Sequence, residues 1–239
     1  MKTLRGFVVI VMNFDGIEVP CIRLRGFLFK RLNFSEKPVI LQYLKSMKDI
    51  IVIDIETKNT FADVGGDEHI DELEVSVACV YSYNENKFRS FWETNMEELG
   101  NLLKESGLVV GFSINRFDLP VLDRYFPFST KALKRLDLLE EIELSFGSRI
   151  GLDLLAQTNI GLCKTHHSLE AIRLWNEGQH KELENYCQND VKLTKDLYEL
   201  AKDQGYLLVP DKKTGEIAKV SLDFSRVIRD LESAPSSLF

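Results

Sequence analysis

From residue 50 onward the spacing of apolar positions changes several times, and each change marks an element. Ile51-Val52-Ile53, followed by Ile55, is a β-branched run of the kind a buried strand uses. Leu73, Val75 and Val77 alternate with Glu74 and Ser76 before Ala78-Cys79-Val80, which predicts a half-buried strand. Asn84-Glu85-Asn86 is turn chemistry and Lys87–Trp92 returns as a strand, so residues 73–92 read as a hairpin. Leu108–Phe112 is a fourth, buried strand and Leu133–Leu136 a short fifth. Helical spacing covers Asn95–Glu105, a segment starting at Asn115–Pro120, a stretch through Ile142, then Leu152–Asn159, Ser168–Trp175 and Lys181–Asp203. Thr57 to Asp71 reads as a polar loop with a turn at Gly65-Gly66. Three strands in meander followed by strand–helix alternation predict an α/β fold, a mixed five-stranded sheet flanked by helices.

The flanks differ from this middle. Residues 1–49 hold nine Lys/Arg against four Asp/Glu, a balance of +5, while the remainder stands at −12. Two strands, Phe7–Met12 and Ile22–Phe29, and a helical stretch, Val39–Met47, are expected there, with no legible chemistry. We expect three segments: an N-terminal extension over 1–49, of which 1–46 is either dispensable or a small hairpin that packs on the sheet edge or guides substrate, a functional domain over 50–205, and a hairpin and frayed tail over 206–239. The net charge of −7 excludes a polycation that holds nucleic acid by bulk charge, though not an enzyme that meets phosphodiesters through metal ions. Cys21, Cys79, Cys163 and Cys187 are scattered, as reduced thiols are in a cytoplasmic protein. No apolar run approaches the ~18 residues that a membrane span needs.

The chemistry lies in three acidic signatures. Asp54 and Glu56 are two apart, so on a strand they share a face; the bland alternative is a strand ending at Ile53 with both acids solvated. Asp118 follows the fourth strand, where α/β sheets hold ligands, yet Asp before Leu119-Pro120 is also a good helix cap. Tyr186 and Asp190 are four apart on a helix face with Leu183, Cys187, Thr194, Leu197 and Ala201, so Asp190 interrupts an apolar stripe. A partly exposed acid at the edge of that stripe is the alternative. Four converging carboxylates repel unless neutralised, and two Mg²⁺ or Mn²⁺ ions suit such an oxygen-rich site.

This ordered set, Asp-Ile-Glu-Thr at 54–57, Asp118 and Tyr-x-x-x-Asp at 186–190, resembles the DEDDy branch of the DnaQ-like 3′–5′ exonucleases, in the ribonuclease H-like superfamily. Phe61, Gly65-Gly66 and the run Leu169–Trp175 resemble the ribonuclease H-like domains found beside some bacterial helicases. The resemblance implies that Asp54, Glu56, Asp118 and Asp190 bind two metal ions and that Tyr186 positions the attacking water. It implies Thr57 and Asn115 near the substrate, while Phe61, in the loop after the acidic strand, is our candidate for base stacking. The implied activity is 3′–5′ exonucleolytic hydrolysis of single-stranded DNA or RNA ends, with a helicase or another nucleic-acid-processing protein as partner. The alternatives are a non-catalytic nucleic-acid-binding module of the same fold and a ribonuclease H-like endonuclease. Asn185 stands where a histidine-type sister branch has its histidine. Lys58, Arg116, Lys164 and Arg173 are the cations available to a substrate groove, whereas His166-His167 reads as a solvated loop and Trp92 and Trp175 as rim or core aromatics.

Overall fold

The computed structural model describes the backbone of residues 2–4, 7–14, 17–24 and 27–29, and residues 48–162, 169–211 and 214–224 in full. The expectations for Val39–Met47, Lys164, His166-His167 and the tail after residue 224 lie outside these. Two compact units emerge, Met1–Met47 and Lys48–Phe239.

In the first unit β1 (Lys2–Leu4), β2 (Phe7–Phe14), β3 (Ile17–Leu24) and β4 (Phe27–Phe29) form an antiparallel sheet in that order. The expected strand Ile22–Phe29 is therefore two strands, with Leu24 opposite Phe27. Only two residues, Arg25-Gly26, separate them, the spacing of a tight hairpin, and Arg5-Gly6 and Asp15-Gly16 repeat it. An apolar-pattern reading passes over such a break because both arms are apolar.

The second unit is built on β5 (Ile50–Thr57), β6 (Val75–Ser82), β7 (Lys87–Phe91), β8 (Leu108–Gly111) and β9 (Arg135–Asp137). Their order is β7-β6-β5-β8-β9, with β8 parallel to both β5 and β9 and the other pairs antiparallel. The mixed five-stranded sheet flanked by helices is as expected. β5 lies in the middle, which is why Ile51, Val52 and Ile53 are wholly buried. β6 is buried along its whole length, where half-burial was expected, because it pairs on both sides and carries helices on both faces.

Side-chain alternation along β5 assigns the two faces. Ile51, Ile53 and Ile55 point into one core, shared with α2 (Met96–Glu105) and α3 (Asp118–Asp123). Val52 points into the other, shared with α4 (Leu138–Phe146), α5 (Leu152–Ile160), α6 (Leu169–Asn176) and α7 (His180–Gln204). Asp54 and Glu56 continue the Val52 register, so both face the α7 side. The segment after β5 is more ordered than the polar loop expected of it: a short helix, α1 (Phe61–Val64), and a 3₁₀ turn, Asp67–Glu72, occupy it. Thr60 and Asp63 start that helix with a reciprocal capping box.

The long α7 buries Leu183, Tyr186, Cys187, Asp190, Val191, Thr194, Leu197 and Ala201, a stripe at spacings of three and four. Each large aliphatic side chain buried there is worth about 1.5–3 kcal/mol. The helix stops at Gly205, whose φ of 77° lets its N–H reach the Ala201 carbonyl at 2.8 Å. β10 (Tyr206–Pro210) and β11 (Ile217–Ser221) then form the expected hairpin, with Leu207, Val209 and Val220 in the α7-side core. Among the described residues no helix is long and apolar enough to cross a membrane.

Candidate functional site

Asp54 and Glu56 belong to β5 itself, which runs to Thr57, so the reading that ended the strand at Ile53 is set aside. Both are partly buried. Asp190 is only 2% exposed in mid-α7, so it sits inside the stripe and not at its edge. Because β5 presents both acids to α7, carboxylate oxygens of Asp54, Glu56 and Asp190 lie within 4.8 Å of one another. One cation could touch all three, and an all-carboxylate donor set suits a hard divalent ion such as Mg²⁺ or Mn²⁺. Tyr186, 4% exposed, is one helical turn before Asp190 on the same face.

Residues 51–202 match a family model described as the RNase_H superfamily. The chain belongs to that superfamily. No curated protein matches it. Members of the RNase H superfamily generally hydrolyse phosphodiester bonds, and the matched span covers β5 through nearly all of α7.

In this RNase H-superfamily domain Asp118 is tied to the strand that carries two of the three converging acids. It is 3% exposed, and its Oδ1 accepts the Ile55 backbone N–H at 3.0 Å, the amide between Asp54 and Glu56. That bond spans 63 positions of sequence. Asp118 is the first residue of α3, with Phe117 at the cap position, so the local capping reading misses this long-range contact.

The loop that delivers Asp118 is tightly defined. At Gly111 a Cβ would lie 2.0 Å from Ile114 Cγ2 and 3.1 Å from the Ile53 carbonyl oxygen, so only glycine permits this approach to β5. Ser113 takes a φ of 69°, a conformation that costs a non-glycine residue energy and persists only where its surroundings hold it. Asp137 does so. Its Oδ1 accepts the N–H groups of Ser113 at 2.8 Å, Leu139 at 3.0 Å and Glu140 at 3.3 Å, and its Oδ2 accepts that of Asn115 at 2.9 Å. One 3%-exposed carboxylate thereby caps α4 and ties down the Asp118 loop. Sequence reasoning passed over Asp137, although an Asp between a strand and a helix is a visible cap signal.

The other expected residues sit as follows. Thr57, 8% exposed, donates its hydroxyl to the Asn59 carbonyl at 2.8 Å. Asn115 gives its side-chain amide N–H to Glu140. Phe61 is 37% exposed and packs edge-on against Phe117, ring centres 5.8 Å apart, next to Asp118. Phe117 was not singled out from the sequence. Trp92 and Trp175 both pack on His180, at 5.6 and 5.2 Å, as rim aromatics.

Two buried thiols lie beneath the acids. Cys187 Sγ donates to the Asp54 carbonyl oxygen at 3.3 Å and lies 3.8 Å from its Oδ2. Burial pushes the Cys187 thiol well up, reinforced by Cys79 and then by Asp54 and Glu56. It stays protonated and serves as a donor, adding no further negative charge to the cluster.

Proposed function

We propose that the domain is a metal-dependent 3′–5′ exonuclease of the DEDDy type, removing nucleotides from single-stranded DNA or RNA ends. What supports this most is the convergence of Asp54, Glu56 and Asp190 oxygens within 4.8 Å, with Tyr186 a turn away. Asp54, Glu56 and Asp190 would hold divalent cations, with Asp118 as the fourth carboxylate from the opposite loop. Held there, two such ions would supply Lewis-acid activation of water and neutralisation of charge at the departing 3′ oxygen. The Tyr186 hydroxyl orients the attacking water in line with the scissile bond, and its ring keeps bulk solvent from that face. Phe61, braced on Phe117, stacks on the terminal base, while Thr57 and Asn115 border the terminal sugar. Repetition releases nucleoside 5′-monophosphates one at a time. A helicase or another nucleic-acid-processing protein would supply the single-stranded end.

The test is 5′-labelled single-stranded DNA and RNA incubated with Mg²⁺ or Mn²⁺ and resolved at single-nucleotide steps. A ladder shortening from the 3′ end is expected, abolished by chelation and reduced at least ~10³-fold in Asp54→Asn and Asp190→Asn. Both variants should melt no lower than wild type without metal, because one repelling charge has gone. Near wild-type turnover by either variant at saturating Mg²⁺ would sink the assignment. Discrete internal cuts without a ladder would favour the endonuclease reading.

A further inference from the structure

Carboxylates beside the scissile bond cannot hold the rest of a polyanionic strand, and the chain as a whole is acidic. Cations elsewhere must do so. Of the four nominated by sequence, Lys164 lies outside the described residues. Lys58 is matched by two acids, Glu93 at 2.8 Å and Glu74 at 3.2 Å, and also lies over the Trp175 ring. Arg173 is likewise matched by Glu170 and Glu177. Arg116 differs: it shares one acid with a second arginine.

Glu143, on α4, lies between the two guanidinium groups. Its Oε2 is 2.8 Å from Arg116 Nη1 and its Oε1 is 3.5 Å from Arg149 Nε. The side chains of Arg116 and Arg149 are 51% and 56% exposed, while that of Glu143 is 19% exposed. Among the described residues no donor meets Glu143 Oε2 in hydrogen-bond geometry. Its pairing with Arg116 is therefore an ion pair without hydrogen-bond geometry. Arg149 Nη2 lies 3.5 Å from the hydroxyl of Ser113, the residue with φ of 69°. A strained residue in a loop fixed by Asp137, two half-exposed forks held by one carboxylate, and Arg116 two positions before Asp118 all occupy one segment of the fold.

We propose that Arg116 and Arg149 form a phosphate subsite that grips the phosphodiester backbone of the bound strand beside the reacting end. Glu143 pre-sets the two guanidiniums, so less side-chain entropy is lost on binding, and each fork can take a phosphate oxygen pair. Glu140, one turn before Glu143, is engaged by the Asn115 amide. The subsite acts through two placed forks, not through a broad positive surface, which agrees with the net charge of −7. The choice of a nucleic-acid strand as ligand rests on the exonuclease reading.

The test is fluorescence-anisotropy binding of 5′-fluorescein-labelled oligothymidylate and oligouridylate in EDTA, where hydrolysis is stopped, over about 50–200 mM salt. Arg116→Ala/Arg149→Ala should weaken binding on the order of 10- to 100-fold at low salt. It should also flatten the plot of log K against log salt by about 1.4, two contacts at roughly 0.7 each on a single strand. Arg173→Ala, removing an arginine already matched by two acids, should leave the slope unchanged. A double variant that keeps the wild-type affinity and slope overturns the subsite even if wild type degrades both strands. An Arg173→Ala variant that flattens the slope as much as the double variant overturns it too. If the double variant flattens the slope in a protein that cleaves neither strand with Mg²⁺ or Mn²⁺, the subsite stands and the exonuclease reading falls.

Discussion

Asp137→Asn isolates what one buried carboxylate does for the site, because it changes an oxygen to NH₂ at nearly constant volume. The native side chain accepts three amides on Oδ1 and the Asn115 amide on Oδ2. An asparagine that keeps its oxygen towards the three donors must point its NH₂ at the Asn115 N–H, donor against donor. The flipped rotamer is worse, since it opposes three donors. Losing one charge-assisted bond to a buried acceptor costs about 1.5–3 kcal/mol, and the surviving bonds fall to roughly half strength as the charge disappears. The sum is about 4–7 kcal/mol, a large part of the ~5–15 kcal/mol that holds a domain together. For a unit of this size each kcal/mol lowers Tm by about 2–4 °C, so a drop of about 8–28 °C is expected. Urea denaturation followed by circular dichroism measures the loss directly. Rates of the proposed exonuclease reaction, taken well below the melting point, should also fall, because the loosened loop carries Asp118. If Asp137→Asn unfolds within about 0.5 kcal/mol of wild type, the size of an unremarkable surface change, the latch argument is wrong.

Three further outcomes follow from the same geometry. Tyr186→Phe keeps the buried ring and removes the hydroxyl, so the rate should fall about 10²-fold while Mn²⁺ affinity by calorimetry changes little; a matching loss of affinity would show that Tyr186 does not act on water. Gly111→Ala would place a methyl 2.0 Å from Ile114 Cγ2, and the shift needed should cost about 1–3 kcal/mol or more in chemical denaturation; an unchanged midpoint would mean the loop can give way. A chain beginning at Met47 should match the full chain in thermal melting and hydrolysis rate, because residues Lys48–Phe239 form their own compact unit; a large fall in Tm would assign the first segment to the core.

Much of the site was legible because short-range geometry alone produces it. A period of two sends Asp54 and Glu56 to one face of β5, and a spacing of four stacks Tyr186 with Asp190 on α7. An acid within an apolar stripe signals burial in any helix long enough to have an inner face. The five strands and their flanking helices were readable for the same reason: each long element repeats its own period.

Other features depended on which faces meet. Asp118 obeys the local rules for a cap and for a site acid equally well, and only the packing of its loop against β5 brings its Oδ1 to the Ile55 amide. Asp137 carries a plain cap signal, yet its hold on Ser113 and Asn115 exists because β8 and β9 are neighbours, which no periodicity encodes. The full burial of β6 and the sharing of Glu143 by Arg116 and Arg149 come from strand order and from the return of the chain after α4. Local spacing determines which residues share a face. The tertiary fold decides which faces converge, because contacts across 63 or 133 positions are set by the packing of whole elements.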